Sequence, residues 1–328
     1  MPAPTPRRKA ALLGVVLTWL AWPGVAGAQE SHGGQGPLPI PEILAGITHG
    51  IVQGSAVFLA GLVAFVALIW LPTNRSGDSP RGEDSFVRAV WALVGVLAVA
   101  GVADVCVYTV RANGAALTFG LFMEGMFGTQ VGQVSLARLG FGLLVALLAS
   151  WAAQQQGRGR WWVAAGAGGL LLAAIVPESH AVAQGFLAVL SIWLHLVAAA
   201  FWMGGLLAFP VLLLGPLGAL ELEERMEVRQ RVVQRFSKVA TAAVMAIIIT
   251  GLHAAVLNVS GPLALIVTSY GRALTMKLGM LVLLLAAGGI NFIDKGRGPL
   301  GRMVGLELIL SAGIFVAAGF LTSLPPAN

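Results

Sequence analysis

The sequence predicts an all-α protein, a polytopic membrane helix bundle of about eight transmembrane helices behind an N-terminal signal peptide. Three observations predict it. Only 10% of the 328 residues are charged and 57% are hydrophobic, whereas an ordinary soluble domain has about 25% charged residues. Apolar runs of about 20 residues, each long enough to cross a ~30 Å hydrocarbon layer as a helix, recur along the whole chain. Lipid does not tolerate unpaired backbone groups, so every such run has to be helical.

Taken in order, residues 1–28 read as a bacterial signal peptide. Arg7, Arg8 and Lys9 precede a short apolar stretch, Pro23 breaks it, and Ala26-Gly27-Ala28 supplies a small-x-small cleavage site. An uncleaved signal anchor is the alternative, and in both cases Gln29 starts outside the cytoplasm. A Gly/Pro-rich leader follows over 29–42, periplasmic in this reading. The spans are then expected at 43–71, 85–111, 135–153, 161–176, 186–214, 237–258, 272–293 and 303–325. They divide into an N-terminal four-helix unit, 43–176, and a second four-helix unit, 177–328. The charged stretch "ELEERMEVRQRVVQRF", residues 221–236, leads with acids and follows with bases, as a helix dipole favours. It reads as a solvated cytoplasmic helix entering span six.

With Gln29 outside, the loops after spans one, three, five and seven face the cytoplasm. Those loops and their flanks hold thirteen basic residues: Arg75, Arg81, Arg88, Arg158, Arg160, Arg225, Arg229, Arg231, Arg235, Lys238, Lys295, Arg297 and Arg302. The outer side keeps four, Arg111, Arg138, Arg272 and Lys277. Such a bias fixes orientation, and it accounts for the net charge of +6 without nucleic acid as a partner. The chain is thus expected in a bacterial inner membrane, crossing many times, with the mature N-terminus and the C-terminus both periplasmic.

A faint internal repeat accompanies the two units. "RAVWALVGVLAVAG" from Arg88 resembles "KVATAAVMAIIITG" from Lys238, "ARLGFGLLVALL" from Ala137 resembles "MKLGMLVLLL" from Met276, and His49 corresponds loosely to His195. Four helices per unit would make the repeats parallel, with sites expected between the halves. Chance similarity among apolar helices is the rival explanation.

Depth gives the polar residues a pattern. Every histidine falls toward the outside: His32 in the leader, His49 in the outer part of span one, His180 before span five, His195 deeper within span five, and His253 near the outer end of span six. Met123, Glu124 and Met126 lie in an outer loop, and Asp104 and Cys106 lie near the outer end of span two. Met203 follows His195 on the same helix, and Met276 and Met280 share a face of span seven. A single cysteine, Cys106, allows neither an internal disulfide nor a thiolate pair. Imidazole and thioether together suit copper, and thioether favours the cuprous ion over the cupric one.

The candidate metal ligands are therefore His195, His180, His49, His253, Met203, Met123 and Met126. Ordinary packing explains Met245 and Met303 as well. His195 is harder to explain as packing, because an ionisable side chain inside the membrane is costly and faces the bundle interior for a reason; a hydrogen bond to another helix is the bland alternative. Trp202 returns to the same face, Gly204 and Gly205 permit close helix approach, and Pro210 loosens the helix beyond. Lys277 and Glu307 are buried-looking charges at opposite depths, so no direct pair is expected. No phosphate-binding loop or catalytic constellation is present, which favours a non-enzymatic membrane protein.

Five segments, "SHAVAQG", "LHLVAAAFWMGGLLAF", "QRFSKVATAAVMAIIITGLH", "YGRALTMKLGMLVLLLAAGGIN" and "ELILSAGIFVAAGFLTSLPPA", resemble in order and spacing the copper resistance protein D (CopD) family of bacterial inner-membrane proteins, over about residues 177–327. In the earlier half "FGTQVGQVSLARLGFG" is the best-matching fragment. The resemblance implies a multi-pass protein of copper uptake or tolerance that moves the ion from periplasm toward cytoplasm. It implies His180 and His195 as motif histidines, with Trp202, Gly204 and Gly205 in the signature. One departure is "IVPESHA", where the family pattern leads us to expect a glycine beside the histidine. Copper ion is the expected substrate, a periplasmic copper-binding protein a possible donor, and the lipid bilayer the surrounding partner. Two rival readings are a b-type cytochrome, with haem held by a pair from His49, His195 and His253, and a metal-free assembly or scaffold protein.

Overall fold

The computed structural model describes residues 40–73, 82–114, 116–155, 158–293 and 300–324. The signal peptide and His32 lie outside the described residues. Among these residues eight helices are long and apolar enough to cross a membrane, in agreement with the sequence reading. In chain order the helices are α1 (Ile40–Thr73), α2 (Glu83–Asn113), the short α3 (Phe119–Gly128), α4 (Gln130–Gln154) and α5 (Arg158–Ala173). Then come α6 (Phe186–Gly218), α7 (Leu222–Asn258), α8 (Ser269–Ile293) and α9 (Leu300–Ser323).

One element departs from the expected spans. The stretch "LFMEGMFG" is the helix α3 rather than a loop. Thr118 Oγ1 accepts from the Leu121 amide, and Thr129 Oγ1 accepts from the Gly132 amide at the start of α4; each is the N-cap that satisfies an orphan donor of a first turn. The charged segment before span six is continuous with it. At 37 residues α7 is about 55 Å long, so its first turns extend well past a hydrocarbon layer, held by pairs such as Arg231–Glu227, 2.5 Å apart one turn along the helix.

α1 is the hub. Of its most apolar window 83% is buried, against 17% for α7 and for α8, which leaves those two as lipid-facing helices. The hub position follows from small residues. Gly46, Gly50 and Gly54 recur every fourth residue and receive α9 through Phe315, Gly319 and Phe320, the close approach that small-residue stripes permit in lipid. Further along, Gly61 of α1 meets the backbone of Ala200 and Gly204 on α6. Both helices depart from α geometry near that crossing, α1 with a π-turn at Val66–Trp70 and α6 with one at Ala200–Gly204. Such turns interrupt the i to i−4 ladder. In α1 the loosened carbonyls are met from outside the ladder: Arg235 Nε donates to Leu68 O at 2.9 Å, and Thr73 Oγ1 to Ile69 O at 2.6 Å. Phe65, Phe86, Phe209 and Phe236, from four different helices, pack ring against ring beside them at 5.2–6.3 Å.

Candidate functional site

His195 sits nine residues into α6, counted from Phe186, so about 13 Å from the helix end that the charge bias places outside. Its Nδ1 is 2.9 Å from Thr250 Oγ1 on α7. The Thr250 hydroxyl also lies 2.6 Å from Ala246 O; with its proton given there, the imidazole donates through Nδ1 and Nε2 carries the lone pair. A ligating histidine is ordinarily held this way, one ring nitrogen donating to a neighbouring group and the other free to coordinate. Gly251 brings α7 close, since a Cβ there would stand 3.5 Å from His195 Cε1. The hydrogen-bonding role and the ligand role thus use different nitrogens and do not compete.

His49 is built into a different environment. Its Nδ1 lies 3.3 Å from Asp104 Oδ2 on α2, and its Nε2 lies 3.2 Å from Glu178 Oε2 in the turn after α5. Asp104 also accepts from Thr48 Oγ1 at 2.8 Å. Glu178 pairs in turn with Arg138 of α4, and Arg138 Nε donates to Ala174 O at 3.2 Å. Asp104 and Arg138 are buried. Both ring nitrogens of His49 face carboxylates, which is an ion-pair geometry rather than that of a soft-metal ligand.

The two histidines are nonetheless placed alike. Each lies nine residues from the start of its helix, His49 from Ile40 and His195 from Phe186, and each uses Nδ1 to reach a polar residue 55 positions later, Asp104 or Thr250. One offset of 146 residues therefore relates His49 to His195 and Asp104 to Thr250.

The remaining candidates are scattered. His180 Nε2 is 3.0 Å from Leu324 O, beyond the last turn of α9, with its ring edge-on to Tyr270. His253 is exposed on α7. Met123 is exposed on α3 and Met126 is buried beneath it. Met203 is buried in the π-turn of α6, eight residues and thus about 12 Å beyond His195, too far to share an ion with it. Met280 lies against α9, its Sδ 2.9 Å from where a Cβ on Gly313 would be. Trp202 is buried beside Met203, Gly204 faces α1, and Gly205 faces the Phe236 ring of α7, so these signature residues serve helix packing. Glu307 is buried on α9, its Oε1 3.8 Å from the Cβ position of Gly288 on α8. That is three turns from Lys277 along α8, about 16 Å, so the two do not pair. Among the described residues no group of three or more His, Cys, Asp or Glu side chains is arranged to hold a metal ion.

The sequence reading placed Asp104 and Arg138 on the outer side but did not join them, and it missed Glu178. The signal lay in "IVPESHA", where an acid stands two residues before His180. The pairing carries a stability consequence. Arg138→Met removes one partner of a buried pair and leaves Glu178 uncompensated, which costs about 3–5 kcal/mol. The expected result is a large drop in thermal midpoint in detergent for Arg138→Met, partly restored in the double variant Arg138→Met/Glu178→Gln. No restoration would show that the two side chains do not act as a pair.

Comparison with known proteins bears on the second half of the chain. Residues 230–321 match the family model of copper resistance protein D. The chain is 31% identical over 164 residues to the copper transport protein CutJ of Bacillus subtilis (strain 168), a match that covers 48% of this chain and 29% of that relative. No solved structure matches the chain. The matched segment contains Thr250, the hydrogen-bond partner of His195, and runs from α7 through α8 and α9. This multi-pass membrane protein is thus similar to the copper resistance protein D family over residues 230–321, and it spans less than a third of the length of the curated relative it matches.

Proposed function

We propose that the protein handles copper in the membrane, taking the ion on the outer side and passing it toward the cytoplasm, with His195 as the intramembrane receiver. The observation that carries the reading is the oriented imidazole: a ring inside the bundle whose Nδ1 is hydrogen-bonded to Thr250, leaving Nε2 to bind. An imidazole in the membrane is costly to keep, and a cuprous ion is the cargo best suited to neutral imidazole and thioether donors. His253, Met123 and Met126 line the outer approach in this reading and His195 lies below them. His180 and His49 are engaged by Leu324 O and by carboxylates, and are not assigned to the copper path. The bacterial inner membrane is the proposed location, with both mature termini in the periplasm and a periplasmic copper-binding protein as donor. Transport rather than an enzymatic reaction is the proposed activity.

The test is metal analysis with a visible absorption spectrum of the full chain purified from copper-fed cells. Copper retained with no haem absorption is the expected result. A Soret band without copper would replace this reading with the cytochrome reading, and neither copper nor haem would favour a scaffold.

A further inference from the structure

The helix ends that carry most of the basic residues hold a cluster for which the copper path has no use. Side chains from three helices meet there. Trp91 of α2 donates from Nε1 to Ser150 Oγ of α4 at 3.1 Å, and Ser150 Oγ donates in turn to Ala146 O at 2.8 Å. The neighbouring Trp151 carries on its ring the guanidinium of Arg160 from α5, 4.9 Å from the ring centroid. Arg160 Nη1 donates to Gln155 O at 2.9 Å. Stacking and one hydrogen bond thus hold the plane of the fork, while its Nε and Nη2 have no partner among the described residues. Arg88 lies one turn before Trp91 and is exposed, its Nη2 3.1 Å from Ser85 Oγ. Among the described residues neither arginine is ion-paired, unlike Arg111, Arg138 and Arg231.

We propose that Arg88, Trp91, Trp151 and Arg160 form a binding site for the headgroup of an anionic phospholipid. The depth is that of a headgroup. Trp151 is three residues from the end of α4 and Arg160 two residues into α5, so both lie within about 5 Å of a helix end. At 31 residues α2 is about 46 Å long and outreaches a ~30 Å hydrocarbon layer. Its early residues Arg88 and Trp91 therefore fall at the same interfacial level, where indoles settle. The exposure also fits. Trp91 and Trp151 are 41% and 43% exposed, whereas Trp161, next to Arg160, is buried with its Nε1 3.3 Å from Glu83 Oε2. Finally, a planar guanidinium fork matches two phosphate oxygens better than a point charge does, and Arg88 adds a second positive charge beside it.

The surface beyond the arginines suits acyl chains. As successive spans, α2 and α4 run antiparallel, so the bond from Trp91 to Ser150 brings Gly95 near Leu147 and Val99 near Leu143. A Cβ on Gly95 would meet nothing within 4 Å, and Val99, Leu143 and Leu147 are exposed. Two acids stand at the start of α2. Glu83 is turned inward to Trp161, and Asp84 is exposed in the first turn, where the helix dipole favours it. A zwitterionic headgroup would set its ammonium against two guanidinium groups, which is why the anionic lipid is the better occupant.

This site does not depend on the copper reading. It is tested by native mass spectrometry of the full chain in a neutral detergent, with phosphatidylglycerol and phosphatidylethanolamine of identical acyl chains supplied in equal amounts. Wild type should retain phosphatidylglycerol over phosphatidylethanolamine by at least about fivefold, the scale set by one arginine at an anionic surface. Arg160→Gln and Trp151→Leu should each remove most of that preference. Arg160→Lys keeps the charge but loses the fork, and should also lower it. Arg231→Gln, which removes a charge of the same sign from an ion-paired position on α7, should leave it unchanged. Equal retention of the two lipids by wild type overturns the site, and so does an equal fall in Arg231→Gln, which would show attraction to net charge alone. Wild-type preference in Arg160→Lys overturns the stacked fork as the ligand. Should Arg160→Gln not be monodisperse, Trp151→Leu and Arg160→Lys decide the matter by the same outcomes.

Discussion

Replacing His195 by alanine should abolish copper accumulation through this protein and any copper-dependent growth phenotype, with the protein still inserted at wild-type abundance. The fold should survive because the side chain's hydrogen bond to Thr250 is worth about 1 kcal/mol net, and Thr250 keeps its own bond to Ala246 O. Binding should not survive, because Nε2 is the donor atom that the site offers. A fall of at least tenfold in bound copper, an effect of about 1.4 kcal/mol or more, is expected in metal analysis of the purified variant. Thr250→Val is the more informative partner. It leaves the imidazole in place but removes the hydroxyl that holds its Nδ1, a change of the kind that costs 10–100-fold in metal affinity. Equal copper content and equal tolerance in wild type and His195→Ala would remove this residue from the path and with it the basis of the proposed mechanism.

The helical class and the number of spans were legible because membrane helices announce themselves by length and hydropathy alone, and the eight expected segments agree with the eight apolar helices. Side-chain partners were not legible, since nothing in a one-dimensional pattern shows which face of one helix meets which face of another. Asp104 and Arg138 could be given a side of the membrane but not a contact. Glu178 was hidden in a connecting turn, where an acid normally means solvent. The repeat shows the same limit. Matching "RAVWALVGVLAVAG" to "KVATAAVMAIIITG" sets an offset of 150 residues, while the hydrogen-bonded pairs His49–Asp104 and His195–Thr250 share an offset of 146. The difference of four is about one helical turn, a slip that apolar text does not penalise but a buried hydrogen bond does.

The other large effect should come from a residue with no chemistry. A Cβ on Gly61 would stand 2.0 Å from Ala200 O, and one on Gly204 would stand 2.4 Å from Gly61 Cα. In both cases the obstacle is backbone, which no rotamer change can move, so α1 and α6 would have to part along their crossing. Overpacking a core costs about 1–3 kcal/mol where side chains can adjust, and here they cannot, so Gly61→Ala should exceed that range and yield little folded protein. Gly205→Ala is the graded comparison: its Cβ would meet the Phe236 ring at 2.2 Å, a side chain that can swing aside, and a milder loss is expected. Gly140→Ala, with nothing within 4 Å, should be tolerated. The readout is the monodisperse fraction after mild heating in detergent; equal fractions for Gly61→Ala and Gly140→Ala would mean that the two helices do not cross there. The crossing matters to the site as well as to the fold. His195 lies nine residues before Gly204 on the same helix, so the contact that lets α6 rest on α1 also sets the rotation that aims the imidazole at Thr250. A variant that folds but rotates α6 should therefore lose copper without losing any ligand, which would separate the positioning of the ring from its chemistry.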